Sequence, residues 1–243
     1  MMPSTSAAAS NGHRLVLFDI DGTLLSAGRA ARESVLAALE SVYGWEADPG
    51  APRQGKYDFS GKTDPQIVRE LVTESVGRER CEADLGRALA RYLEELGRRL
   101  TPEAVVPKPG VSDLLKRLEV EPGVTLALLT GNLERGARLK LEPPGFNTYF
   151  PFGAFGSDSA DRYQLPALAV ERAKLHCGRD FRGKSIVIVG DSIHDVACGR
   201  SLGVRSVAVA TGPTPAERLA AEAPDALLPD FTDVSLAMES ILG

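Results

Sequence analysis

The architecture that this 243-residue chain predicts is α/β: a doubly wound parallel sheet, interrupted once by a helical insertion. Three observations carry that expectation. From residue 107 onward, short apolar runs alternate with helical stretches, a pattern that builds a parallel sheet with helices on both faces. Asp19, Asp21, Thr130 and Asp191 stand at the ends of the apolar runs, where open α/β sheets bind ligands. Between about 28 and 105 the periodicity is helical, without a convincing strand.

The elements follow in order. The apolar run 15–17 reads as a buried strand and leads into Phe18-Asp19-Ile20-Asp21-Gly22-Thr23-Leu24-Leu25. Residues two apart in a strand share a side, so Asp19 and Asp21 project together, and Gly22 lets the backbone turn sharply. Adjacent carboxylates at a strand end are costly unless a cation or a shared proton relieves them. Further strands are expected at 124–129, 185–190, 204–209 and 226–228, and helices at 110–118, 133–140, 165–176, 195–202, 215–221 and 233–241. Within the insertion, Val35, Leu36, Leu39 and Val42 form one apolar stripe and Ile67, Val68, Leu71 and Val72 a second; Leu85, Leu89, Leu93, Leu96 and Leu100 form a third. Pro49, Gly50, Pro52 and Gly55 mark a loop between the first two helices.

Composition excludes several classes. A formal net charge of −5 and a pI near 5.4 argue against a general nucleic-acid surface. No stretch reaches the roughly 20 apolar residues of a membrane span. The small, polar N-terminus lacks the basic-then-apolar design of a secretory signal and is expected to be a disordered tail over 1–13. Cys81, Cys177 and Cys198 form no CxxC pair and fit reduced thiols in a cytoplasmic protein. His13, His176 and His194 have no metal-ligand spacing, and Trp45 reads as core.

Four elements now stand in a telling order: DIDGT at 19–23, TGN at 130–132, a basic residue at 162, and GDSIHD at 190–195. In these the chain resembles the haloacid dehalogenase superfamily, in its capped phosphatase branch of phosphoglycolate-phosphatase-like and β-phosphoglucomutase-like enzymes. The resemblance covers almost everything beyond residue 13. It implies a Rossmann-like core formed by 14–27 and 105–243, with a helical cap over 28–104 acting as a mobile lid. It also implies a magnesium-dependent phosphatase. Asp19 would be the nucleophile that forms an aspartyl-phosphate, and Asp21 the general acid and base. Asp191, a carboxylate of Asp19 and the backbone carbonyl of Asp21 would hold Mg²⁺, with Asp195 supporting that site from behind.

Thr130 would hydrogen-bond a phosphate oxygen, with the Gly131 amide and Asn132; a helix N-cap accounts for Thr130 alone about as well. Where many relatives carry a lysine, this chain offers Arg162, whose fork suits phosphate oxygens. Asp158 and Asp161 lie close in sequence, so a surface ion pair is the competing reading, with Lys174 the fallback cation. Ser60-Gly61-Lys62-Thr63-Asp64-Pro65 is the candidate cap turn, with Asp64 as cap and Pro65 at the first helical position. Lys62 is a candidate substrate contact, as are Arg29 and Arg32, while His194 belongs at the edge of the site. The acid at Asp21 favours a P–O bond in the substrate.

The expected partner is a small phosphorylated metabolite, with no nucleic acid and no membrane, and the protein a monomer or homodimer. A sugar-phosphate phosphomutase would use every core residue named. A catalytically idle binding protein on the same fold would ordinarily lack one of these carboxylates.

Overall fold

The computed structural model describes residues 12–45 and 58–243. Most of the expected tail, and the whole Pro/Gly-marked loop of 49–55, lie outside the described residues. The chain runs β1 (Arg14–Phe18), β2 (Leu25–Ser26), α1 (Ala30–Tyr43), α2 (Asp64–Val76), α3 (Arg78–Arg99), β3 (Val106–Pro107) and α4 (Val111–Glu119). It continues through β4 (Val124–Leu129), α5 (Glu134–Leu141), β5 (Gly153–Ala154), α6 (Leu165–Cys177), β6 (Ile186–Gly190) and α7 (Ile193–Leu202). It ends with β7 (Arg205–Val209), α8 (Ala216–Ala221), β8 (Ala226–Leu228) and α9 (Val234–Leu242).

Six strands form one sheet in the order β5-β4-β1-β6-β7-β8, every pairing parallel. The period-two rule divides its core in two. Val16 and Phe18 of β1 face one side, packed with Leu126, Leu128, Val187 and Val189 and with Leu114 and Leu118 of α4. Leu15 and Leu17 face the other, with Leu129, Ile188 and the Leu165, Ala169 and Ala173 stripe of α6. A strand buried on both faces needs the near-continuous apolar run seen in β1.

The insertion has its own core. Val35, Leu39, Leu71, Val72, Tyr92 and Leu96 from α1–α3 pack together, and Trp45 joins them. Leu133, which precedes α5 of the main fold, also belongs to this cluster, so the cap is seated on the core by apolar contact. Where the chain leaves and re-enters the core, β2 and β3 pair antiparallel, Leu25 with Pro107 and Ser26 with Val106.

The expected helices and long strands lie within about two residues of those observed, a normal uncertainty for element ends. Three short strands, β2, β3 and β5, were not expected. Each is two residues long, too short to show a period. Two local expectations are corrected: Thr63, not Asp64, caps α2, its hydroxyl accepting from the Gln66 N–H at 3.2 Å, and Pro65 takes the second helical position rather than the first.

Candidate active site

Asp19 follows β1 directly, its N–H donating to the Val189 carbonyl at 3.0 Å. That bond continues the β1–β6 pairing and holds Asp19 next to the end of β6, where Asp191 begins the following loop. Gly22 turns the chain with φ +91°, and a Cβ there would collide with the Asp191 carboxylate. Glycine therefore serves twice, through its conformational freedom and its lack of bulk. Thr23 Oγ1 donates to Asp191 Oδ1 at 3.0 Å, fixing that carboxylate from the motif's far end.

Asp19, Asp191 and Asp195 are all buried, with carboxylate oxygens within 4.8 Å of one another. Among the described residues one guanidinium enters this cluster. Arg162 Nη2 donates to Asp19 Oδ1 at 3.0 Å and also to Asp195 Oδ1. Asp195 Oδ2 accepts from the Ser192 N–H at 3.0 Å and its hydroxyl at 2.6 Å, completing the capping box at the start of α7. The surface reading of Arg162 is thereby excluded. Asp158 pairs with Arg172 instead, at 2.7 Å, and Lys174 pairs with Asp180 on the surface at 2.8 Å.

Burial pushes the Asp19 carboxyl up to about 7, against the opposing pull of Arg162. Burial, then the neighbouring Asp19 and Asp195, holds Asp191 well above the usual carboxylate range. Burial works against the Arg162 charge, but Asp195 and Asp19 outweigh it and keep the guanidinium protonated. Three carboxylates facing one fixed cation form a site short of positive charge. A hard divalent ion with oxygen ligands supplies what is missing, so these residues fit a metal.

Asp21 lies elsewhere in the same cavity, its side chain 42% exposed. Its Oδ2 accepts from Lys140 Nζ at 2.6 Å and from Asn132 Nδ2 at 2.8 Å. Each of the two carboxyl groups meets its own cation, Arg162 for Asp19 and Lys140 for Asp21, although Asp21 still adds to the upward push on Asp19. Thr130, at the end of β4, accepts from Asn132 Nδ2 at 2.8 Å, which leaves the threonine proton free to be donated. The N-cap position of α5 is Leu133, without a side-chain cap, so Thr130 is not spent on capping. Both amide hydrogens of Asn132 are engaged within the protein, on Thr130 and Asp21.

The cap turn closes over this loop. Asp64 N–H donates to the Gly131 carbonyl at 2.8 Å, Asp64 Oδ2 accepts from the Leu133 N–H at 2.8 Å, and Thr63 Oγ1 donates to the Ala160 carbonyl at 2.8 Å. A Cβ on Gly131 would strike the Lys62 carbonyl, so close seating requires glycine there. The cavity between core and cap measures about 310 Å³ and is open to solvent on one side. Asp19, Asp21, Asp191, Thr130, Gly131, Asn132 and Arg162 line it from the core, and Lys62, Arg32 and Phe59 from the cap side. Arg32 lies over the Phe59 ring at 5.4 Å, whereas Arg29 is not part of the lining. Lys62 pairs with Glu70 at 2.6 Å. His194 touches Tyr163 Oη at 3.0 Å and lines a neighbouring depression.

Lys140, Lys108 and Tyr92 also line the cavity and were not singled out from the sequence. Lys108 Nζ is held by the Thr211 carbonyl at 2.6 Å. Lys140 did leave a signal: it falls on the buried stripe of α5 with Ala137 and Leu141, where a lysine is out of place unless paired.

A doubly wound sheet with buried carboxylates at its strand ends and a helical cap over them defines a capped α/β protein with an acidic site between core and cap. The profile of haloacid dehalogenase-like hydrolases matches residues 16–200, and the chain belongs to that family. It is 30% identical over 231 residues to a phosphoglycolate phosphatase of Pseudomonas fluorescens (strain Pf0-1), covering 90% of this chain and 77% of that protein. It is 26% identical over 231 residues to a phosphoglycolate phosphatase of Synechococcus elongatus, covering 93% and 98%. The fold is also similar to that of CbbY from Rhodobacter sphaeroides, crystallised in complex with phosphate, with a TM-score of 0.71 at 18% identity over 91% of this chain and 96% of that one.

Proposed function

We propose that the protein is a phosphatase that hydrolyses a small phosphomonoester through an aspartyl-phosphate on Asp19, with Mg²⁺ at the carboxylate cluster. The observation that carries this reading is the placement of Asp19. It is buried at a strand end beside Asp191, and it shares one cavity with Thr130, Arg162 and Asp21.

Asp19 and Asp191 would hold the metal, with Asp195 behind them and, by family resemblance, the Asp21 carbonyl. When bound, the ion supplies the positive charge that lets an anionic nucleophile approach a phosphate dianion. The steps themselves belong to the protein's side chains. An Asp19 oxygen bonds to phosphorus as the P–O bond to the leaving group breaks, and Asp21 gives its proton to the departing oxygen. Asp21, now a carboxylate, takes a proton from water as the water oxygen attacks phosphorus. The Asp19–phosphorus bond breaks, releasing phosphate and restoring both aspartates. Thr130 Oγ1 and the Gly131 N–H would donate to the transferring phosphoryl oxygens. Arg162 would keep Asp19 in place and share the phosphoryl charge.

The size of the cavity favours a small metabolite. The phosphatase names of relatives similar over about nine-tenths of this chain favour a compound like phosphoglycolate, and hydrolysis over transfer within a sugar phosphate. We divide the chain functionally into core, 14–27 and 105–243, and cap, 28–104. A cytoplasmic setting agrees with the three unpaired cysteines.

The test is Mg²⁺-dependent release of phosphate from an aryl phosphate and from a panel of phosphorylated metabolites. Wild type is expected to turn over and Asp19→Asn to fall to background. A variant as fast as wild type removes Asp19 as nucleophile.

A further inference from the structure

The proton donor of the proposed reaction is held by a lysine that the reaction scheme does not use. Lys140 is 3% exposed at its side chain, yet its partner Asp21 is 42% exposed. An ion pair built for stability has little reason for that asymmetry. Burying an ammonium costs several kcal/mol, and a buried pair replaced as a whole by apolar side chains is often as stable or more so. The surrounding stripe of α5, with Gly136, Ala137 and Leu141 buried, would accept a methionine. The lysine therefore needs a reason other than folding.

The bonding pattern provides one. Lys140 Nζ donates to Asp21 Oδ2 at 2.6 Å and to Asn132 Oδ1 at 2.5 Å. Asn132 Nδ2 donates to the same Asp21 oxygen at 2.8 Å and to Thr130 Oγ1 at 2.8 Å. The lysine also fixes which way round the amide lies, because a flipped Asn132 would set its NH₂ against the ammonium. Among the described residues, both donors to the Asp21 side chain choose Oδ2. A carboxyl group clamped through one oxygen carries its proton on the other.

We propose that Lys140 is a positioning residue for Asp21, orienting Asn132 and with it clamping Oδ2 so that Oδ1 presents the proton to the departing oxygen. This rests on the assignment of Asp21 as proton donor made above. Because Lys140 acts through aim, its loss costs turnover in proportion to how much the leaving group needs that proton. An alkoxide needs it, and a nitrophenolate does not.

The experiment is Lys140→Met, with Asp21→Asn and the double variant, in saturating Mg²⁺. The first chemical step is read as single-turnover release of leaving group from an alkyl phosphate and from p-nitrophenyl phosphate. For Lys140→Met the alkyl reaction is expected to slow by about 10²-fold or more, the loss typical of a missing general acid. The aryl reaction should change by only about two- to threefold, with KM little altered, as for an interaction made only in the transition state. In the Asp21→Asn background the lysine change should add nothing further. Thermal melting should fall by less than for the loss of a fully buried ion pair, because the Asp21 side chain is 42% exposed and keeps its access to water. Lys140→Gln, which keeps a donor, should recover part of the alkyl rate, and it carries the test if the methionine variant does not fold. Equal losses on both substrates, or full additivity with Asp21→Asn, would overturn the proposal. If Asp21→Asn itself fails to discriminate between leaving groups, the proton-donor assignment falls first and the role of Lys140 with it.

Discussion

Arg162 and Lys140 are both buried cations on aspartates of one short motif, but they sit in opposite charge balances. Arg162 meets Asp19 and Asp195, with Asp191 alongside. Lys140 meets Asp21 and the neutral Asn132 amide. The inner cluster sets three carboxylates against one guanidinium, and burial, with the neighbouring carboxylates adding to it, raises Asp19 and Asp191. The outer one sets one cation against one carboxyl group. The difference separates two arrangements: the inner cluster lacks the cation that the proposed metal would supply, while the outer one already has its cation, in keeping with the positioning role proposed for Lys140.

The sharpest way to break that comparison is Arg162→Met. It would leave the buried Asp19 and Asp195 without their guanidinium. Removing one partner of a buried pair typically costs about 3–5 kcal/mol, the largest stability effect expected here. Activity should be lost as well. Added Mg²⁺ should recover part of the lost stability, because an ion offsets the same charge. Melting curves with and without Mg²⁺ check both statements. An Arg162→Met protein that melts like wild type in the absence of Mg²⁺ would show that the inner carboxylates do not depend on the guanidinium.

Most of the inner cluster was legible in the sequence, whereas the outer one was legible only in part. Asp19, Asp21, Thr130 and Asp191 each end or follow an apolar run, so period and position were enough to find them. Arg162 lies in a short 3₁₀ turn with no period of its own, and only the order of motifs suggested it. Lys140 was missed because a lysine near the end of a helical stretch usually faces solvent. Its place on the α5 stripe was the readable clue. Asp64 was misassigned for a related reason. Its neighbours Thr63 and Pro65 make a complete helix start, and nothing local reveals that its carboxylate reaches the Leu133 N–H across the seam. Contacts between segments distant in sequence leave no periodic trace, and the two-residue strands β2, β3 and β5 were invisible for the same reason.

Asp64 sharpens the comparison through pH. Burial raises its carboxyl from the ordinary 3.8 to about 6, although Lys140 and the Leu133 N–H pull the other way. The folded protein therefore holds this proton more tightly than the unfolded chain does. The resulting stabilisation is fully present below pH 3.8 and is lost as pH rises through about 6. Asp64→Asn keeps an acceptor for the Leu133 N–H and never ionises. Its stability relative to wild type should grow by about 1.4 kcal/mol between pH 5 and pH 8, one unit's worth of linkage. Urea midpoints at the two pH values measure it. A constant difference would mean that Asp64 is not held in its protonated form by the cap seam.

The smallest stability effect is expected at Lys62, also on the cap turn but paired near the surface. Its ion pair with Glu70 spans 2.6 Å between side chains 18% and 38% exposed. Exposed pairs of this kind contribute about 0–1 kcal/mol, so Lys62→Gln should leave the melting temperature nearly unchanged. Its position in the cavity lining makes a different demand. If the lysine leaves Glu70 to meet an anionic part of the substrate, the variant should raise KM for a phosphorylated carboxylate more than for an uncharged alkyl phosphate. Both reactions should keep their kcat, because Lys62 would bind ground state and transition state alike. Equal fold-changes in KM for the two substrates would mean that Lys62 stays on Glu70, and would leave selectivity to Arg32.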